Sequence, residues 1–396
     1  MELLPFMKKR SKVTEIVAAQ DIVFALAQSG VCAAYSRETN RRICFLNATA
    51  DEVVRSLFFN KYNDSLIIVS VYASDNFNSL KCRSTRIECI KRGIADAGFP
   101  LSESESLKWP GFVEFDDVNG KIVTYSAEDS TYKVFDMKSY TMLYSISDKN
   151  VQELKTSFCL MTLRHSPGVM LLIFNRTGGH VPLKILSIED GSVLKSFNHI
   201  IHRNKKVDFI ELFNEKLLLK QENENLQILD VNNFELTEVS STEFVTPSAF
   251  IFLYEEQLFL TFRNQTVSVW NSRGERVTSF EDLILWNPNC NTNNTYITTG
   301  QEYIISYCKD DSDDPESKGN GSINISRILT GKCLAKIRAS DSHSPSPASR
   351  IRSTDAEALK DITALFYDEA RNEIYTGNKH GSVHVWSRSY QCRSLL

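Results

Sequence analysis

Hydrophobic and polar residues alternate along short stretches of the chain, and polar turns separate these stretches. Residues 121–136 contain two alternating stretches on either side of a polar turn, and residues 141–146 contain a third. Alternation with a period of two is typical of β-strands that bury one face. Because helical periodicity is not sustained anywhere in the sequence, the pattern predicts an all-β protein.

This group of strands recurs along the chain, and each copy contains an anchor residue at the end of its penultimate strand. A further alternating strand, for example residues 111–115 or 362–366, precedes most copies and brings each unit to four strands. Successive anchors lie about 40–60 residues apart, which brackets the period of propeller blades. The anchors are Tyr35, Ser84, Phe135, Leu186, Leu229, Trp270, Ile325 and Trp386. The repeat predicts a β-propeller of four-stranded blades, eight in number, with seven as the alternative because the first two units are weak.

Stacking of the units explains why such a repeat folds. A single four-stranded sheet cannot bury both of its faces, so neighbouring sheets pack on each other, and closing the stack leaves only short edges exposed. We expect the anchor to pack between adjacent blades and the polar residue after it to tie the following turn. We also expect closure to pair the strand near residues 14–17 with the last blade around residues 383–387.

The unit endings carry the clearest family signal. Four units close on Phe135-Asp136, Leu229-Asp230, Trp270-Asn271 and Trp386-Ser387. These endings resemble the closing dipeptide of the WD-repeat, or transducin-like, family, although the full Trp-Asp pair is absent. The resemblance covers about residues 13–396 and implies a propeller fold. More specifically, the chain resembles a plant WD-repeat group described only as transducin-like, which implies no biochemical role.

Composition and charge restrict the class of protein. The sequence is 42% hydrophobic and 24% charged, which permits a large core, and its net charge of -4 argues against a bulk nucleic-acid binder. Its nine cysteines include no C-x-x-C pair, which predicts reduced thiols in the nucleus or cytoplasm. The apolar runs are far shorter than the roughly 20 residues of a membrane helix, so we expect a soluble intracellular protein without membrane contact.

Enzyme motifs are missing from the sequence. No G-x-S-x-G, P-loop or H-E-x-x-H pattern occurs, so we expect no catalytic residue, no metal and no cofactor. His380 and His384 are four residues apart on a predicted strand-turn-strand, where that spacing does not converge on a metal ion as it would on a helix. We therefore expect both histidines to have structural roles.

Three segments depart from the repeat. Residues 1–12 precede the propeller, and their basic residues can serve as a nuclear-import signal. Flexible insertions are predicted at about residues 309–321, which are acidic, and 339–357, which are rich in Ser and Pro. In the second insertion two serines that each precede a proline are candidates for phosphorylation. The candidate residues are Lys8, Lys9, Arg10 and Lys12 for import, and Ser344 and Ser346 for phosphorylation.

The sequence predicts function only as a class, a protein-binding scaffold that is a subunit of a multiprotein complex and a monomer outside it. One alternative is the substrate receptor of a cullin-type ubiquitin ligase, because some WD-repeat proteins dock to the ligase adaptor through a Val-Trp-Asp-x-Arg phrase. Ordinary blade packing would explain the same residues. A third alternative, an RNA-associated propeller, is disfavoured by the acidic balance and would be tested by a salt-dependent titration. The candidate docking residues are Val269, Trp270 and Arg273, and, in a second variant, Phe135, Asp136 and Lys138.

Overall fold

The protein is nearly all-β, and its strands form eight antiparallel four-stranded sheets, the blades of a β-propeller. The prediction of eight blades is confirmed, and the alternative of seven is wrong. The computed structural model describes residues 11–78, 80–103, 113–126, 131–147, 150–157, 168–263, 266–281, 294–309, 321–339, 354–387 and 393–395.

The chain divides into two compact units, and the first unit, Met1–Pro110 with Leu283–Leu396, contains blades 1, 2, 7 and 8. Blades 1 and 2 comprise β1 (Val13–Ala19), β2 (Ile22–Ala27), β3 (Cys32–Ser36), β4 (Arg42–Phe45), β5 (Glu52–Asn60), β6 (Ser65–Tyr72), β7 (Lys81–Arg86) and β8 (Phe99–Glu103), with helix α1 (Ile87–Lys91) after β7. The second unit, Gly111–Asp282, contains blades 3 to 6.

Blades 3 to 6 each consist of four consecutive strands. These strands are β9 (Val113–Asp116), β10 (Lys121–Ser126), β11 (Thr131–Asp136), β12 (Met142–Ser147), β13 (Val151–Ser157), β14 (Val169–Phe174), β15 (His180–Ser187), β16 (Val193–Ile200), β17 (Val207–Phe213), β18 (Lys216–Gln221), β19 (Leu226–Asp230), β20 (Leu236–Val239), β21 (Ala249–Leu253), β22 (Leu258–Arg263), β23 (Thr266–Asn271) and β24 (Arg276–Glu281).

Blades 7 and 8 complete the first unit. Their elements are β25 (Thr295–Ile297), β26 (Tyr303–Lys309), β27 (Gly321–Arg327), β28 (Cys333–Ile337), helix α2 (Asp355–Ala358), β29 (Ile362–Asp368), β30 (Glu373–Asn378), β31 (Val383–Trp386) and β32 (Arg393–Leu395).

The closing contact differs from the predicted strand exchange. Strand β1 pairs with β2 inside blade 1, and blade 8 takes its fourth strand from β32. The pairing within blade 1 is local, because only two residues separate β1 from β2, and a short loop costs little entropy to close. Blades 1 and 8 instead meet through side chains. Thr363 donates its hydroxyl to the Val13 carbonyl at 2.6 Å, and Val13 packs in one apolar cluster with Tyr375.

The anchors occupy one register position in all eight blades, opposite the second residue of the second strand. Six predicted anchors are confirmed at this position, among them Phe135 opposite Ile122 and Trp270 opposite Phe259. The corresponding residues of blades 2 and 7 are Thr85 and Ser326, each one residue after the predicted anchor. Both are small, polar and buried, so the apolar pattern does not mark them; in blade 7 the apolar Ile325 stands next to the true anchor, and in blade 2 two small polar residues, Ser84 and Thr85, are adjacent.

The core lies between the faces of consecutive blades. In the second unit, one buried cluster joins Phe213 and Leu218 of blade 5 to Phe259 and Trp270 of blade 6. In the first unit, another joins Ile305 of blade 7 to blade 8. Trp270 and Trp386 therefore pack between blades as predicted for the anchors, and the packed blades support the turns between their strands.

Both predicted insertions lie largely outside the described residues. The structure describes neither residues 310–320 nor 340–353, so Ser344 and Ser346 lie outside it, as do Lys8, Lys9 and Arg10. The end of the second insertion differs from the predicted flexible loop, because residues 355–357 belong to helix α2. Thr354 caps this helix, since its side chain accepts a hydrogen bond from the Glu357 N–H and the Glu357 carboxylate accepts one from the Thr354 N–H.

Candidate functional site

The turn between β23 and β24 of blade 6 carries the best-matched docking phrase, but two of its residues are internal. Val269 is 1% exposed and Trp270 is 3% exposed, so neither side chain presents a surface to a partner. The centroids of the Trp270 and Phe244 rings lie 5.1 Å apart, and the Trp270 indole N–H donates to the Thr261 hydroxyl at 2.9 Å. These residues hold the blade together and position the turn that follows them.

Asn271 ties this turn in the way predicted for the polar residue after an anchor. Its side-chain oxygen accepts hydrogen bonds from the backbone N–H groups of Arg273 at 3.0 Å and Glu275 at 2.9 Å. In blade 3, the carboxylate of Asp136 accepts from the Ser139 N–H at 2.7 Å in the same way. An amide oxygen replaces a carboxylate oxygen as the acceptor, so the departure from aspartate in blade 6 preserves the turn.

Gly274 brings the turn close to blade 5. Its φ is +80°, and a β-carbon at this position would lie 2.4 Å from Val239 and 2.7 Å from Ile228. Only glycine combines this left-handed conformation with so close an approach. The turn therefore lies directly against blade 5, and the neighbouring Arg273 is placed beside that blade.

A groove of about 650 Å³ lies between blades 5 and 6 at this turn. Blade 5 contributes Lys216, Glu235 and Glu238, while the connection after β20 adds Glu243 and the turn of blade 6 adds Ser272 to Arg276. Several of these charges already have partners. Lys216 bonds to Asp230 at 2.6 Å, and hydrogen bonds from Asn225 and Gln227 lower the pKa of Glu238, which keeps that carboxylate ionised.

Arg273 and Arg276 are two cations of the groove that are available to a partner. Both are exposed, and neither guanidinium forms an ion pair or hydrogen bond with the described part of the chain. A guanidinium presents five N–H donors in a planar arrangement that matches a carboxylate. The two guanidinium groups are therefore available to a carboxylate of another protein, although the groove also contains the carboxylates of Glu235, Glu238, Glu243 and Glu275.

The second docking variant lies on blade 3 and is not brought together with the first. Phe135 is half-buried, and Lys138 is exposed. Burial alone would raise the pKa of Asp136, but hydrogen bonds from the Ser139 hydroxyl and N–H outweigh it and lower the pKa. Asp136 thus ties its turn as Asn271 does. The assignment of either set to a ligase adaptor stays a prediction.

Sequence reasoning missed most of the groove. Arg276 begins the next strand and Glu243 lies in the connection after blade 5, so neither belongs to the docking phrase. Gly274, the glycine in the turn after the anchor, was the available signal, because a glycine at such a position indicates close backbone approach.

The two histidines of blade 8 differ in burial. His384 is buried on β31, and burial lowers its pKa to about 4, which keeps the ring neutral, whereas His380 is exposed. Among the described residues, no group of three or more His, Cys, Asp and Glu side chains is placed to hold a metal ion. Within the same residues, no helix has the length and apolar character needed to cross a bilayer.

Comparison with known protein families identifies the family of this chain. Residues 1–386 match the family described as Domain of unknown function (DUF7899). The chain belongs to this family. No curated protein matches its sequence.

Solved structures resemble this DUF7899 member in fold. The C-terminal WD40 domain of Sif2 is 12% identical, with 98% of this chain and 95% of that chain covered and a TM-score of 0.50. The Dos1 propeller is 10% identical over 96% and 93% of the chains, with a TM-score of 0.51. The computationally designed Ika8 protein is 18% identical over 96% of each chain, with a TM-score of 0.50. These structural similarities support the β-propeller fold alone, while the resemblance to the plant group stays a prediction.

Proposed function

We propose that the chain is a non-enzymatic protein-interaction scaffold, a subunit of a multiprotein complex that binds a partner in the groove between blades 5 and 6. The observation that carries this proposal is the presence of two exposed guanidinium groups, Arg273 and Arg276, in a groove of about 650 Å³. Trp270 and Asn271 fix the backbone of the turn that carries Arg273. Arginine is enriched among the residues that dominate protein interfaces.

A second candidate is the substrate receptor of a cullin-type ubiquitin ligase. Its support is the position of Arg273, which is exposed three residues after the anchor, as a docking phrase that ends in arginine requires. The buried Val269 and Trp270 would then contribute through the fold and not through contact.

Affinity purification of the tagged full chain from cells that express it natively tests both candidates. The charge-reversal variant Arg273→Glu/Arg276→Glu is compared with Arg41→Glu/Lys91→Glu, which reverses two exposed cations of blades 1 and 2. Circular dichroism and thermal unfolding confirm that each variant folds. We expect the variant of Arg273 and Arg276 to lose partners by at least about tenfold, because attraction becomes repulsion at a carboxylate, while the control variant retains them.

The result that contradicts the scaffold proposal is capture of the same partners in equal yield by the variant of Arg273 and Arg276. If a cullin adaptor is among the proteins that are lost, the ligase-receptor candidate is supported. If the lost proteins include no adaptor, that candidate is wrong, and the captured subunits identify the complex.

A further inference from the structure

A second groove, of about 890 Å³, lies between blades 7 and 8 and has a different chemical character. Its floor is apolar, and its accessible part is formed by the half-buried Ile325 and Ile337 and the exposed Ala335. Beneath them lie the buried Ile305, Ile374 and Trp386, and the Trp386 indole N–H donates to the Thr376 hydroxyl at 3.0 Å. Volumes of about 300–1,000 Å³ with mostly apolar walls are typical of ligand-binding sites.

The charged residues that line this groove are all acidic. They are Glu302, Asp355 and Glu369, and no Lys or Arg occurs among its described lining residues. Glu369 is fixed in position, because its Oε1 accepts hydrogen bonds from the Thr299 N–H at 2.7 Å and from the Thr299 hydroxyl at 2.9 Å. Within the described part of the chain, none of the three carboxylates pairs with a cation. The groove therefore has a negative rim around an apolar floor.

We propose that the groove between blades 7 and 8 binds a partner segment in which one large apolar side chain is flanked by Lys or Arg. This inference rests on the proposed scaffold function and adds a second site with a defined partner chemistry. The apolar side chain would lie over Ile325, Ala335 and Ile337, while its basic neighbours would pair with Glu302 and Asp355. Nucleic acids and anionic lipid headgroups do not fit this site, because three unpaired carboxylates repel phosphate.

A library of immobilised synthetic hexapeptides, screened with the full chain at low ionic strength, tests the proposal. We expect the selected peptides to combine Leu, Ile, Phe or Met with Lys or Arg within two positions. Replacing the apolar residue by glycine, or the basic residues by glutamate, should abolish binding, and added salt should weaken it. Selection of neutral or acidic peptides, or of none, overturns the proposal.

A pair of matched variants locates the binding. Glu302→Lys/Asp355→Lys reverses two rim charges and should weaken the selected peptides by at least about tenfold. Glu38→Lys/Asp96→Lys makes the same charge change at exposed positions of blades 1 and 2 and should bind as the unmodified chain does. Equal binding by the rim variant overturns the proposal. So does a dimer of the unmodified chain that the rim variant dissociates, because the occupant would then be a second copy.

The same screen separates this inference from the proposed function. Arg273→Glu/Arg276→Glu should bind the selected peptides normally, because its changes lie in the other groove. If no peptide is selected while cellular partners still depend on Arg273, only the inference about blades 7 and 8 is wrong. The opposite outcome has two parts: Glu302→Lys/Asp355→Lys no longer binds the selected peptides, and cellular partners bind Arg273→Glu/Arg276→Glu as they bind the unmodified chain. In that case the assignment of docking to blades 5 and 6 is wrong.

Discussion

Single side chains in this protein divide into those that build a blade and those that can meet a partner. Trp270 and Trp386 are both buried, and each donates its indole N–H to a threonine two residues beyond the residue opposite it. Arg273, only three residues after Trp270, is exposed and without an ion pair in the described structure. A test of function must therefore change Arg273 and leave Trp270 intact.

The first prediction compares the contributions of the buried Trp270 and the exposed Arg273 to stability. Trp270→Ala should lower the free energy of unfolding by about 3–5 kcal/mol, because it removes a large buried side chain and leaves the Thr261 hydroxyl without its donor. Arg273→Ala should change it by less than about 0.5 kcal/mol, as is usual for exposed positions. Urea unfolding followed by circular dichroism measures both values. Equal losses for the two variants would show that Arg273 has a structural role.

At the scale of strands and turns, a polar clamp joins blades 1 and 8 where strand exchange was expected. Arg37, which follows β3, donates two hydrogen bonds to Glu373 at the start of β30, at 2.7 and 2.6 Å. The Tyr375 hydroxyl donates to the same carboxylate at 2.9 Å. Burial alone would raise the pKa of Glu373, but the hydrogen bonds from Arg37 and Tyr375 lower it below the ordinary value. Both side chains of the ion pair are only 11% exposed.

The second prediction follows from this burial. Glu373→Gln should destabilise the fold by about 3 kcal/mol, because breaking a buried pair leaves an uncompensated charge on Arg37. The double variant Arg37→Met/Glu373→Met should lose less than the sum of the single variants, since the two residues are coupled. Glu88→Gln serves as the control, because its ion pair with Arg92 at 3.1 Å is exposed and should contribute less than about 0.5 kcal/mol. Chemical denaturation of these three variants and of the single variants Arg37→Met and Glu373→Met decides, and additive losses would argue against the clamp.

At the scale of the whole molecule, the free energy of unfolding changes with pH where a buried group titrates near neutrality. Glu15 on β1 accepts a hydrogen bond from the Leu57 N–H of blade 2 at 3.2 Å. Burial raises its pKa to about 7, although this hydrogen bond and one from the Ser56 hydroxyl oppose the shift. The folded state therefore holds a proton on Glu15 that the unfolded chain releases near pH 4.5.

The third prediction is the direction in which Glu15 changes the free energy of unfolding with pH, and the pH range of that change. Since the pKa is higher in the folded state, the contribution of Glu15 is complete below about pH 4.5 and is lost as pH rises through about 7. Glu15→Gln, which cannot ionise, should raise the free energy of unfolding relative to the unmodified chain by about 3 kcal/mol more at pH 8 than at pH 4. Thermal and urea unfolding across this range measure it, with the exposed Glu38→Gln as control. A pH profile unchanged by Glu15→Gln would contradict the shift.

The sequence alone determined the all-β fold and most anchor positions, and it favoured eight blades over seven. Alternation and turn residues are local properties, so Phe135 and Trp270 could be assigned from their neighbours in the chain. Only the tertiary structure decided that Thr85 and Ser326 are the anchors of blades 2 and 7, because a small polar residue there is recognised by its pairing and burial. It also decided the closing clamp and both grooves, since each depends on residues from separate blades, and local patterning does not specify which distant side chains meet.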